Sequence, residues 1–295
     1  MTTKSFTLTL LICAILLFSC SESDSKKTVD QNDGIDTTVV IANDTVVSED
    51  ADAVSYNLPS ALQIAYVFKK SGSAFVPSLV NTNTTVNKYN TSAFKRATNF
   101  GVYSADLAYC LFNKKYQESK IYLKACKEMG ADLGLNQAFE GDNIAARFDK
   151  NIANEESIIK IVAGVQLKTD VLLEQNKQKH IIAIAFTGAW VESAYIASEV
   201  YMKDKNKKAL GSLLEQLLLA ETIIKALKAS KPAEPEIPSL LEAVEKINAA
   251  YTSVASIKLG KEKDEEIDFT TTAVTEAELK AISSAIISLR KTIID

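Results

Sequence analysis

The sequence is short of the residues on which most enzymes and nucleic-acid binders rely. Its single histidine, His180, sits with Lys177 and Lys179 and has no Cys, Asp or Glu within three residues. Such a histidine makes a poor metal ligand and a poor general base, and a surface turn is its expected place. No G-x-S-x-G, P-loop or G-x-G-x-x-G stretch occurs, so the usual nucleophile and phosphate-cradling motifs are missing and no cofactor is expected. Only three of the thirty-three basic side chains are arginine (Arg96, Arg147 and Arg290), and the net charge is −4. Planar forks for phosphate are therefore scarce, there is no basic footprint, and nucleic acid is not expected as a partner. Strand signals are poor as well. Beyond residue 55 the alternating patterns are short and no Asn-Gly or Asp-Gly turn occurs.

What the sequence does contain begins with Lys4 and a thirteen-residue, mostly apolar run from Phe6 to Phe18, followed by the small Ser19. As a helix that run would span about 20 Å, short of the roughly 30 Å hydrocarbon core of a bilayer, so it reads as an export signal and not as a membrane anchor. Leu17-Phe18-Ser19-Cys20 resembles the bacterial lipobox. That resemblance implies removal of residues 1–19, acylation of Cys20 with palmitate-type chains, and lasting attachment to a membrane, here the outer membrane of the cell envelope. Each buried methylene adds about 0.8 kcal/mol, so several chains together suffice. Ser21-Glu22-Ser23-Asp24 is similar to the acidic export signals that follow the lipidated cysteine in Bacteroidota lipoproteins; a solvated spacer is the other reading, so the periplasmic and surface-exposed faces both stay open. Residues 20–55, rich in Ser, Thr, Asp, Asn and Lys, read as a flexible, disordered tether.

From residue 56 to 295 the texture is that of one α-helical domain. Leu213, Leu217, Ala220, Ile224 and Leu227 follow a three-and-four spacing, as do Leu240, Val244, Ile247, Tyr251 and Val254, and then Leu279, Ile282, Ile286, Leu289 and Ile293. Each set is an apolar seam on one helix face. Pro232, Pro235 and Pro238 separate the first two, and Thr275 with Glu278 forms a capping-box pattern ahead of the third. Further helices are expected at about 59–70, 92–113, 117–133, 155–177 and 180–203, and the polar stretches Asn81–Asn90 and Lys258–Thr272 are expected as loops. The class is all-α, an antiparallel multi-helix bundle or array.

Residues 99–134 resemble a single tetratricopeptide-type hairpin, turning at Asn113 to Lys115, with Tyr103 at the aromatic position of the first helix and Leu123 and Cys126 at the large and small positions of the second. A generic helical hairpin is the other reading, because no second copy follows at a similar period. "NFGVYSADLAY" and "TGAWVESAYIASE" resemble segments of uncharacterised helical lipoproteins of Bacteroidota. That likeness implies fold and location and carries no activity. Cys110 and Cys126 are offset by about 10 Å along the two helices of the hairpin, too far for a disulfide, so two buried thiols are expected.

The candidate site residues lie on those two segments. Gly188 and Ala189 would admit a close neighbouring helix, Trp190 is the only tryptophan, and Glu192 is a carboxylate within a very apolar run. Asp106, between Tyr103 and Tyr109, poses the same problem. A carboxylate in such surroundings must reach water, find a partner or take up a proton. One reading is a polar pocket floored by Trp190 and Tyr195, with Tyr103 beside the converging Asp106 and Glu192, that binds a cationic or sugar-like ligand. A second has each acid paired with a lysine or a backbone amide at the edge of the bundle, and a third has the two acting together in a hydrolase-like reaction. The leading expectation is a binding module for a protein, peptide or glycan rather than an enzyme, with a purely structural envelope component as a further alternative. For the anchor, radiolabelled palmitate fed to the producing cell is expected to label the protein, and Cys20→Ser is expected to abolish the label; retention in that variant refutes acylation at this position.

Overall fold

A computed structural model describes residues 72–81, 86–140, 143–230, 234–263 and 267–295, together with residues 58, 60, 62, 64, 66 and 69. The signal segment 1–19, Cys20 and the tether expected over 20–55 lie outside the described residues. All described residues fall within one compact unit. Among them no β-strand occurs, in keeping with the all-α expectation.

The element order follows from the apolar spacing and from local capping. After 3-10 turns at Pro77–Leu79 and Val86–Tyr89 come α1 (Ala93–Phe112), α2 (Tyr116–Asp132), α3 (Asn136–Glu140), α4 (Ile144–Lys150), α5 (Glu155–Gln175), α6 (Lys179–Asp204), α7 (Lys207–Leu217), α8 (Ala220–Ala229), α9 (Ile237–Thr252), α10 (Ala255–Lys263) and α11 (Glu276–Ile294). Ser92 caps α1 by accepting from the Lys95 amide, and Asn154 caps α5 by accepting from the Ser157 amide. The Thr275/Glu278 capping box is formed at the start of α11, and Pro238 lies in the first turn of α9. Lys114 and Lys177, each directly after a capping asparagine, take left-handed backbone angles that reverse the chain between α1 and α2 and between α5 and α6.

Helix α6 is the axle. It packs most extensively on α1 and also touches α5, α7, α8 and α11, while α9 rests on α8 and α11. It is long and apolar enough to cross a membrane, yet most of it is covered by the rest of the protein, which makes it a core helix. The contact between α1 and α6 depends on two glycines. A Cβ at Gly101 would sit 1.8 Å from the Ala185 carbonyl oxygen, and one at Gly188 would sit 2.0 Å from the Thr98 carbonyl oxygen. The two backbones therefore touch at both crossings, and the approach expected at Gly188 is made to α1.

Two expectations need correction. The seam from Leu213 to Leu227 does not lie on one helix: the chain breaks between α7 and α8. There the Gln216 carbonyl accepts the Leu219 amide at 3.1 Å, a tighter turn than α, and also the Trp190 indole N–H at 2.8 Å. The break shifts the buried positions from Ile224 to Ile223 and Ala226. Second, the expected loops are partly ordered into the core. Val86 and Tyr89 are buried on their 3-10 turn, and Lys258 to Lys263 belong to α10, which buries Ile257. Polar composition misled here because two buried side chains, Val86 and Tyr89, anchor the first element, while the largely exposed residues 258–263 prolong a helix anchored by Ile257 just before the expected loop.

Because backbone atoms, and not flexible side-chain ends, face both glycines, relief of an added methyl requires the helices to part. Gly188→Ala is expected to cost about 3 kcal/mol or more, at the upper end of overpacking costs, and to lower the thermal midpoint by roughly 6 °C or more, as read by circular dichroism.

Candidate functional site

The close approach of α1 and α6 sets Asp106 and Glu192 against each other in the interior, where both are fully buried. Asp106 Oδ2 accepts from the backbone N–H of Asn81 at 3.1 Å and from its side-chain amide at 3.2 Å, while Oδ1 has no donor aimed at it. The Asn81 carbonyl in turn accepts the Tyr122 hydroxyl at 2.6 Å. Glu192 is gripped by Arg290 of α11 in a two-pronged pair, Nε to Oε2 at 2.6 Å and Nη2 to Oε1 at 2.8 Å. The guanidinium carbon lies 4.0 Å from the centre of the Tyr195 ring, which covers its other face.

Electrostatics assigns the protons. Burial holds the Asp106 carboxyl well above the usual range, the charge of Glu192 pushes it the same way, and the two Asn81 donors only partly oppose this. Glu192 is also raised by burial, but its hydrogen bonds and attraction to Arg290 counter the shift, and it lies within hydrogen-bonding reach of Asp106. Two carboxylates cannot both stay charged in a dry site with one cation. The directions favour a neutral Asp106 beside a Glu192 that Arg290 holds in its charged form.

The remaining candidates support this closed network. Tyr103 is fully buried, hydrogen-bonded to Tyr89 and edge-on to Tyr122 with ring centres 6.0 Å apart; burial pushes its hydroxyl pKa up. Tyr89 donates in turn to the Ile294 carbonyl at 3.4 Å. Trp190 is sealed in the core by its bond to Gln216, and only Tyr195 is half-exposed. Where a polar pocket is expected over Trp190 and Tyr195, Glu192 is paired with Arg290, whose guanidinium lies over the Tyr195 ring. The bland alternative was nearer, since each acid does have a partner, but Glu192 takes the arginine and at the centre of the protein, not a lysine at its edge. Cys110 and Cys126 are buried free thiols, and His180 is half-buried in the first turn of α6. Among the described residues no group of three or more His, Cys, Asp or Glu is placed to hold a metal.

The concave feature lies elsewhere. Between α1, α2, α5 and α6 is a cleft of about 90 Å³, lined by apolar side chains such as Phe100, Leu123, Val165, Leu173 and Phe186. That is well above the roughly 10–15 Å³ that a single water needs. None of the five candidate residues lines it. Its polar groups come chiefly from α5, as Gln166, Thr169 and Asp170, with Ser104 from α1. The sequence held a signal for this face: Val162, Val165, Gln166, Thr169, Asp170 and Leu173 share one side of a helix, and an apolar seam broken by three adjacent polar positions marks a boundary with something other than core. Arg290 had no such signal. No protein-family model, curated protein or solved structure matches this chain.

Removing the arginine and removing the Asp106 charge give opposite expectations. Arg290→Met strands Glu192 and is expected to cost about 3–5 kcal/mol at pH 7. Glu192 then has a folded-state pKa raised still further above its ordinary 4.5, so the deficit grows as pH rises above that value and shrinks toward acid. Asp106→Asn keeps a donor for Glu192 and an acceptor for Asn81, and is expected to change stability by less than about 1 kcal/mol. It also removes the decline in stability that a raised Asp106 imposes as pH climbs above its ordinary 3.8. Urea unfolding at pH 5 and pH 8 checks both.

Proposed function

We propose that this chain is a lipid-anchored protein of the bacterial outer membrane whose helical domain works by binding rather than by catalysis. One observation carries the choice. The carboxyl pair of Asp106 and Glu192 is shut in the core and committed to Arg290 and Asn81, whereas an apolar cleft is formed elsewhere among the described residues. A reacting group needs contact with substrate, and neither Asp106 nor Glu192 offers any exposed surface. A largely apolar cleft with a few polar groups is the usual make-up of a small-ligand site.

The lining also narrows the ligand. A glycan would need many hydroxyls satisfied, and this cleft offers few partners, so an apolar group, carried by a small molecule or by a side chain of a peptide or protein, fits it better. Leu123 and Cys126, the positions that give the α1/α2 hairpin its tetratricopeptide likeness, both line the cleft. In this reading the tether over residues 20–55 holds the cleft away from the lipid surface, and the acidic residues after Cys20 bear on which face of the membrane presents it.

The test uses the mature chain, residues 20–295, with Cys20→Ser to keep it out of micelles. Titration with uncharged 1-hexanol, followed by amide NMR shifts, is expected to move the signals of Gly101, Ala185 and Leu173 in a saturable way and to leave those around Arg290 in place. Shifts centred on Glu192 and Arg290 instead would return the carboxyl pair to the account as a ligand-accessible site.

A further inference from the structure

Asp170 presents a charge problem that the fold leaves unsolved. It lies half-buried on the cleft face of α5, and no hydrogen bond or ion pair is formed to it among the described residues. Burial alone raises its pKa to about 6, with no nearby cation to pull it back. The contrast with Glu192 is instructive, because for that fully buried carboxylate the fold supplies Arg290. One residue away, Thr169 is only 3% exposed and its Oγ1 has no hydrogen-bond partner. Two adjacent polar groups therefore border the same apolar cleft: the buried Thr169 hydroxyl, whose hydrogen-bonding capacity is unused at a cost in stability, and the half-buried Asp170 carboxylate, which has no partner among the described residues.

The rest of the lining specifies what could use them. Apart from Asp170, the only titratable group on the cleft among the described residues is the Cys126 thiol, whose pKa burial pushes up to about 12, so it stays neutral. Among the described residues the cleft thus combines an apolar interior, no positive charge, one acceptor carboxylate, the Gln166 amide and two hydroxyls, of which Ser104 is already bonded to the Phe100 carbonyl and Thr169 is not. An anion would meet Asp170 and be repelled. A neutral apolar molecule would fill the interior but leave the carboxylate as unpartnered as before. A protonated amine on an aliphatic chain satisfies both halves.

We propose that the cleft between α1, α2, α5 and α6 binds an aliphatic primary ammonium group, its chain among Phe100, Leu123 and Leu173 and its head on the Asp170 carboxylate and the Thr169 hydroxyl. This rests on the binding role proposed above and names the ligand chemistry of that site. The gain from the charged head is set by a charge-assisted hydrogen bond in a partly dry site, which corresponds to about tenfold or more in affinity.

The probes are n-hexylammonium, 1-hexanol and hexanoate, titrated calorimetrically into the mature chain with Cys20→Ser at pH 7.5. Hexylammonium is expected to bind at least about tenfold tighter than hexanol, and hexanoate weaker than either. Asp170→Asn, which keeps shape and a polar end, is expected to lower the hexylammonium affinity about tenfold and to leave hexanol unchanged. In the unmodified site the preference for the amine is expected to fade as pH drops below about 6, where Asp170 takes up its proton. Thermal melts of Asp170→Asn establish that it is folded, and Thr169→Val provides a second variant expected to weaken the amine alone. Equal affinity for amine and alcohol, or indifference to Asp170→Asn, overturns the ammonium assignment while leaving the apolar cleft as a binding site. No binding of any of the three overturns both.

Discussion

The backbone contact between α1 and α6 is the constraint from which the rest follows. With Gly101 against the Ala185 carbonyl and Gly188 against that of Thr98, the two helices have no room for side chains at the crossing points. Side chains on either side of the contact must then be accommodated at fixed positions. Asp106 and Glu192 are driven together on one side, which requires Arg290 from α11 to enter the core. Gly101 and Ala189 border the cleft on the other, where α5 stands farther from α6 than α1 does. The ion pair and the cavity are thus two results of one packing decision.

Asn81 and Arg290 show how such a buried pair is made tolerable. Desolvating two carboxylates is costly, and a fold that merely buried them would not hold. Here burial favours the neutral form of one, which Asn81 fastens, and the other is matched by a guanidinium that also stacks on Tyr195. The pieces come from the segment before α1, from α1, from α6 and from α11, so the network ties together elements that are far apart in sequence. The end of α11 is tied in the same manner: Asn99 donates to the Ile293 carbonyl at 2.9 Å and Lys88 to that of Ile294 at 2.5 Å.

How much of this was legible beforehand depends on the range of the interaction. The seams of α9 and α11, the capping box at Thr275 and the turn at Asn113 are local, and three-and-four spacing or a single cap residue reveals them. The close approach at Gly188 was readable because a glycine beside an alanine in an apolar helix has few other uses. The predicament of Asp106 and Glu192 could also be read, as two acids where acids do not belong. Its solution could not: Arg290 lies 98 positions from Glu192, and nothing in its own neighbourhood marks it as a core residue. The break after Leu217 was hidden for a similar reason, since it depends on the indole of Trp190 claiming a carbonyl twenty-six positions away. The cleft face of α5 was written in the sequence, but an interrupted seam becomes a cavity only once the α1/α6 contact has set how far the neighbouring helices stand.

That indole has a further consequence. As the sole tryptophan, fully enclosed, fixed by one hydrogen bond and absent from the cleft wall, it is an optical gauge of the core's integrity and is deaf to what enters from outside. Its emission therefore separates loss of the folded state from occupancy of the cleft, two events that would otherwise be confounded in any variant of the lining.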